Sequence, residues 1–281
     1  MRDDFCIFIL THGRPDRVVT LKSLKKAGYT GRIYLVIDDE DQRAQEYFDR
    51  YGDQVLQFSK EQMSKRFDEG DNFEDRRTIT YARNACWVLA KQVGVRYFAQ
   101  FDDDYTSFSH RYNSKGQYGH WPIVNLDGVF EALLSFYQGA PCLTVAMAQG
   151  GDFIGGNQGQ PRLRRKAMNS FICSTDRPFL FRGRMNEDVN TYTSLGRAGG
   201  LFFTVMQAQL VQMTTQANSG GITELYKSVG TYTKSFYTVM YSPSCTQIGV
   251  MGDNHLRIHH KINWHNAVPV ILDEKHRKGR S

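Results

Sequence analysis

Three consecutive carboxylates, Asp102, Asp103 and Asp104, close the segment VRYFAQFDDD. Carboxylates packed this closely repel one another and resist ionising together, so the arrangement needs something that offsets the cost. Asp102 and Asp104 stand at i and i+2, which on a strand puts both on one side and within reach of one ion. Oxygen ligands of this kind suit Mg²⁺ or Mn²⁺. A solvated surface turn is the alternative reading, and the triplet alone does not exclude it.

Other reactive residue types gather at comparable points of the chain. Thr11, His12, Gly13 and Arg14 follow the short apolar run CIFIL and precede a helix start at Pro15 and Asp16. Backbone N–H groups at such a start attract anions. Asp38 and Asp39 end a second apolar run, RIYLVI. Arg83 and Asn84 lie on the polar stripe of the segment TITYARNACWVLAKQVG. Acids for a metal, arginines for phosphate and acids for a ribose or base edge are the parts of a nucleoside-diphosphate site. The chain contains neither GxxxxGK[ST] nor GxGxxG, so neither a P-loop nor a dinucleotide fingerprint accounts for them.

The elements that must position these residues are legible in the first hundred positions. Cys6–Leu10, Ile33–Ile37 and the VLQF segment read as strands. Pro15 onward, with Val18, Leu21 and Leu24 at helical spacing, reads as a helix ending near Gly28. Ile79, Ala82, Cys86, Leu89 and Val93 recur at alternating steps of three and four, giving one apolar helix face that Gly94 terminates. The strand Val95–Phe101 follows. Strand and helix in this alternation predict an α/β fold whose sheet is mostly parallel, with helices on both faces. Ligands of such sheets bind beyond the carboxyl ends of the strands, where all three polar turns must fall. Further on, NLDGVFEALLSFYQG reads as a helix through Phe130, Leu133, Leu134 and Tyr137. CLTVAMAQ, FICST, GLFFTV and KSFYTVMY read as strands, RPFLF as a short apolar segment and NEDVNTYTSLG as a capped helix.

Bulk composition bounds the class. The 281 residues are 41% hydrophobic and 23% charged, as in an ordinary globular protein. No apolar run approaches the roughly 20 residues of a membrane span, and MRDDFCIFIL is a poor secretory signal. Five scattered cysteines without CxxC pairing suggest a reducing compartment and hence a cytoplasmic setting. The net charge of +6 favours polyanionic partners such as nucleic acid.

The strings FILTHGRP, ARNACWVLAKQVGVRYFAQFDDD, RMNEDVNTY and IHHKINWHN, in this order, resemble GT-A glycosyltransferases. Among them they are most similar to the TET/JBP-associated group, which includes the base J glucosyltransferase and phage enzymes. The resemblance implies one Rossmann-like GT-A domain over 1–281, with a nucleotide-sugar half (1–120) and an acceptor half (121–281). It implies a Mn²⁺- or Mg²⁺-dependent, inverting transfer from a UDP-sugar, UDP-glucose or UDP-N-acetylglucosamine, to a hydroxymethylated pyrimidine in DNA. For a phage-encoded enzyme the setting is the host cytoplasm. Asp102 and Asp104 then match the DxD motif, with Asp103 between them as spacer or sugar contact. Arg14 and Arg83 match positions near the diphosphate, and Asp38 or Asp39 the acid that reads uracil and ribose. Glu187 and Asp188 match the ED motif, Asp188 being the general base. Their alternative reading is helix capping beside Asn186.

Two further groups complete the expectation. GT-A enzymes often recruit a C-terminal histidine to the metal, and His259 and His260 are the candidates; on a strand only one of them can face the site. Satisfied histidines are the alternative. Arg162, Arg164 and Arg165 form a basic run suited to DNA phosphates or simply to water. An extruded base would need an aromatic to stack on, for which Phe153, Trp121 and Trp264 are available. A protein or glycan acceptor, a metal-dependent nuclease and a non-catalytic nucleic-acid-binding module remain as rival readings.

Overall fold

A computed structural model describes residues 1–71, 73, 75–153, 166–213, 226, 230, 232–252 and 256–269. Its centre is a nine-stranded mixed sheet in the order β3-β2-β1-β4-β8-β7-β9-β5-β6. The first four positions are β3 (Val55–Phe58), β2 (Arg32–Asp38), β1 (Phe5–Leu10) and β4 (Tyr97–Asp102), all parallel. The order 3-2-1-4 reverses direction between β1 and β4, which creates a crevice at their carboxyl ends. Leu10 and Asp102 are register partners there, so the Thr11–Arg14 loop and the acidic turn emerge side by side. The remaining strands are β8 (Phe171–Ser174), β7 (Thr144–Gln149), β9 (Phe202–Gln212), β5 (Tyr105–Tyr112) and β6 (Tyr118–Pro122). They join through antiparallel pairs and one parallel pair, β7 with β9, so one sheet runs through both expected halves.

Strand alternation splits the core into two layers. Phe5, Ile7, Ile9, Tyr97, Ala99 and Phe101 face α1 (Val19–Lys26), α2 (Ala44–Tyr51) and α5 (Leu126–Gly139). Cys6, Phe8, Leu10 and Phe98 face α4 (Thr80–Gln92) and α6 (Glu187–Arg197). A short helix, α3, spans Lys60–Ser64. All five cysteines are buried and unpaired. Among the described residues no helix is long and apolar enough to cross a membrane.

One reading of the second half changes. KSFYTVMY, expected as a strand, lies in a helix, α7 (Thr233–Tyr241). Its aromatic and β-branched residues have strand propensity, but Ser235, Tyr237 and Thr238 are buried and Tyr232, Phe236 and Met240 stay exposed, so docking decides the local state. RPFLF forms no ladder. Instead the Asn84 carboxamide accepts from the Phe181 N–H at 2.8 Å and donates to its carbonyl at 3.0 Å, while Phe179 and Phe181 fill the core. Beyond them, β10 (Thr246–Met251) and β11 (Arg257–Ile262) form a separate antiparallel hairpin, and Trp264–Ala267 a last short helix, α8.

Candidate active site

Strand β4 ends at Asp102, and Thr20 of α1 fixes the turn that follows. The Thr20 hydroxyl donates to the Asp102 carbonyl at 2.6 Å and accepts the Tyr105 N–H at 2.9 Å. Its backbone N–H donates to the Asp103 carbonyl at 3.1 Å. With the backbone held, the three carboxylates take different surroundings. Asp102 accepts from Arg83 Nη2 at 3.1 Å. Asp103 is buried; it accepts from the Thr11 hydroxyl at 2.7 Å and faces Arg14 Nε at 3.4 Å. Burial raises the Asp103 pKa despite these partners. Asp104 has one buried oxygen, Oδ1, with no hydrogen-bond partner. Burial, then the charges of Asp102 and Asp103, push its pKa up to about 7. The Gln212 carboxamide reaches both outer acids, 3.5 Å from Asp102 and 3.4 Å from Asp104.

Asp102 and Asp104 therefore share one neighbour, the Gln212 amide, and Asp104 keeps a buried oxygen without a partner. That fits a divalent cation of the Mg²⁺ or Mn²⁺ type, which is commonly held by one or two carboxylates and completed by water and substrate phosphate. Asp103 is turned into the β1–α1 loop, where it orders Thr11 and Arg14.

Arg83 joins the acidic turn to the second acidic motif. Its guanidinium is buried, donates to Glu187 Oε1 through Nε at 2.9 Å, and bonds Asp102 through Nη2. Burial works against its charge, yet Asp102 and Glu187 hold its pKa above the ordinary value. The Gln100 amide fixes the Arg83 carbonyl at 3.0 Å, and Nη1 has no hydrogen-bond partner. Glu187 and Asp188 open α6, where the helix dipole favours carboxylates. Asp188 stays partly accessible. Burial and the neighbouring Glu187 charge raise its pKa, while Arg83 and Lys234 act the other way. Asn186, the cap of the alternative reading, makes no side-chain capping bond; it sits in the left-handed region at φ 61° and donates to Thr238 of α7 at 2.6 Å. Asparagine is one of the few residues other than glycine that adopts this conformation readily.

The β1 and β2 ends complete this rim. His12 Nδ1 lies 2.7 Å from Asp38 Oδ2, and Lys60 Nζ 3.0 Å from Asp38 Oδ1. The Asp38 bond raises the His12 pKa. Burial opposes ionisation of Asp38, but His12 and Lys60 outweigh it and hold the carboxyl below its usual value. Asp39 is exposed and accepts the Lys60 N–H at 2.9 Å. Gly13 N–H donates to Asp41 at 2.6 Å, and Arg14 N–H to the Tyr47 hydroxyl at 2.8 Å, so the loop is anchored to α2.

Among the described residues no three His, Cys, Asp or Glu side chains form a metal-ligand group. His259 and His260 both stand on β11, their rings 4.2 Å apart and beside the charge of Lys234. Burial, then His259 and Lys234, push the His260 pKa down to about 3. Trp264 stacks on Tyr192 of α6 at 5.6 Å and 19°, so one ring face already serves packing. Arg162, Arg164 and Arg165 lie outside the described residues, as does the Phe153 side chain. Thr20, Lys60, Gln212 and Lys234 are the site residues that the sequence pattern does not single out. Each acts on a partner distant in the chain, and none sits in a recognisable spacing.

The chain is similar in fold to S. aureus TarS (9% identity, TM-score 0.44), over 84% of this chain and 40% of that one. It is also similar to the mannosyltransferase PcManGT from Pyrobaculum calidifontis in complex with GDP-Man and Mn²⁺ (10%, 0.47), over 86% and 74%. A third similar structure is glucosyl-3-phosphoglycerate synthase from Mycobacterium tuberculosis in complex with Mg²⁺ and UDP (10%, 0.46), over 97% and 91%. The chain thus spans about two fifths of TarS. No curated protein sequence matches it. The family model for TET-associated glycosyltransferases matches residues 5–221, most of the chain, and the protein belongs to that family.

Proposed function

We propose that this protein is a metal-dependent, inverting GT-A glycosyltransferase that moves a sugar from a UDP-sugar to the hydroxyl of a 5-hydroxymethylpyrimidine in DNA. The observation that carries the reading is the Arg83 bridge: one buried guanidinium bonds both Asp102 and Glu187. The bridge supports the reading because it ties the acidic turn after β4 to the acids that open α6, so both can act on one bound substrate pair.

The roles follow from that arrangement. Asp38, held ionised by His12 and Lys60, accepts from the ribose or uracil. Arg14 and Arg83 stabilise charge on the diphosphate. A divalent cation held by Asp102 and Asp104 would supply Lewis-acid stabilisation of the departing diphosphate. Asp188 is the general base. A primary alcohol is a weak nucleophile, and a carboxylate within hydrogen-bond reach takes its proton as the new glycosidic bond forms. Glu187 is occupied by Arg83 and therefore positions rather than reacts. With Asp188 taking the acceptor proton and the acceptor oxygen displacing the UDP group directly, the anomeric centre inverts. The net positive charge of +6 supports a polyanionic acceptor, and the family relation supports a DNA base.

Labelled UDP-sugars offered with Mn²⁺ to hydroxymethylated DNA, a glycan and a protein, in parallel, test the reading. Label on DNA alone supports it. Label on glycan or protein, with none on DNA, removes the nucleic-acid acceptor.

A further inference from the structure

Gln212 ends β9 and holds an unusual place. Its Nε2 lies between Asp102 Oδ2 and Asp104 Oδ2, at 3.5 and 3.4 Å. Both contacts are long against the usual 2.9–3.0 Å for N–H···O. A neutral amide therefore occupies the point between two carboxylates without satisfying either, and Asp104 Oδ1 stays without a partner. A carboxamide carries a donor and an acceptor on one planar group. Half a turn about its last bond exchanges them.

The second side of the amide is prepared for that exchange. Gln212 Oε1 accepts from Gln149 Nε2 at 3.4 Å. Gln149 is another carboxamide, so a turn of both amides would keep the bond between them with donor and acceptor reversed. The Gln149 backbone is fixed meanwhile, because its N–H donates to Asp152 at 3.0 Å and Asp152 pairs with Lys166. The backbone N–H of the next residue, Met213, donates to the Asp104 carbonyl at 3.1 Å, which keeps Gln212 at the acidic turn whichever way its side chain faces.

We infer that Gln212 is the third protein ligand of the cation: its amide oxygen turns toward Asp102 and Asp104 when a divalent ion binds, and its Nε2 holds the ion's place otherwise. Amide oxygens are ordinary partners of Mg²⁺-like ions alongside carboxylates. This rests on the metal-dependent reading above and gives it a donor that is neither acid nor histidine.

The test is a Mn²⁺ titration followed by the electron paramagnetic resonance of free Mn²⁺, with and without saturating UDP, on the full chain. Gln212→Leu removes the oxygen and is expected to weaken Mn²⁺ about tenfold or more. Gln212→Glu replaces the amide with a third carboxylate and is expected to tighten it by a similar factor in the absence of UDP. If Gln212 merely competes with the ion by hydrogen bonding, Gln212→Leu leaves the affinity unchanged or raises it, and the inference is overturned. Should the wild-type protein bind no Mn²⁺ even with UDP, the metal-dependent reading falls and this inference with it. If the wild type binds and both variants match it, only the role of Gln212 is lost.

Discussion

Arg83→Met is the perturbation on which most of the site's geometry bears. The side chain is 3% exposed and bonds carboxylates that are only 18% and 11% exposed. It also lies over the Phe171 and Phe181 rings at 4.8 and 5.7 Å. Methionine retains much of the stem's packing and removes the charge. Removing one member of a buried ion pair costs about 3–5 kcal/mol, because the partner stays buried without compensation. At about 2–4 °C per kcal/mol for a chain of this size class, the melting temperature at pH 8 falls by roughly 6–20 °C. The penalty is itself pH-dependent. Without the guanidinium, the folded state gains by taking up a proton on Asp102 or Glu187. Such a group binds protons more tightly folded than unfolded, so it favours folding at low pH and loses that benefit as pH rises. The deficit relative to wild type is therefore smaller at pH 5 than at pH 8. Calorimetric melting of both proteins across that range checks it. A loss under about 1 kcal/mol, or one equal at pH 5 and pH 8, refutes the view of Arg83 as the common counter-ion.

Further expectations concern the neighbours. Asp188→Asn lowers transfer by about 10²–10⁴-fold while UDP-sugar binding by calorimetry is retained. Because burial and Glu187 raise the Asp188 pKa and the ionised form is the base, wild-type turnover rises with pH beyond the usual carboxylate range; a rate flat from pH 5 to 8 contradicts this. Asp104→Asn raises the melting temperature of the metal-free protein at pH 8. The folded carboxyl has a pKa raised to about 7 from 3.8, so its contribution to stability is present below pH 4 and lost as pH passes 7. The same variant has little effect at pH 4, and loses the stabilisation that Mn²⁺ gives the wild type. Thr20→Val leaves the Tyr105 N–H unpaired in a buried turn and costs about 1–3 kcal/mol. Thr20→Ser keeps the hydroxyl and restores most of the loss in a denaturant melt.

The parallel half of the fold was legible because strands buried on both faces read as short apolar runs and α4 has an apolar repeat in its sequence. That helix is nevertheless buried round most of its surface, Arg83 and Asn84 included, so the expected polar stripe faces the protein and not water. The reactive types were legible too: Asp102, Asp104, Glu187 and Asp188 stand out as acids at element ends. Their union was not. Arg83 meets partners 19 and 104 residues away, and Thr20 serves a turn 82 residues on. No local pattern encodes a bond of that span. The hairpin β5–β6 has irregular burial along β5, so alternation does not reveal it. In α7 strand-forming residues sit in a helix because Thr238 must meet Asn186 and Asn190. The histidine expectation came from the family resemblance, and the structure sets the two rings 4.2 Å apart on β11.

Mass spectrometry of nucleosides from hydroxymethylated DNA, after incubation with mixed UDP-sugars and Mn²⁺, addresses the central claim most directly. The account predicts a hydroxymethylpyrimidine nucleoside heavier by one sugar residue, present with wild type and absent with Asp188→Asn. Unmodified nucleosides from an enzyme that transfers the same sugars to a glycan or protein would contradict it.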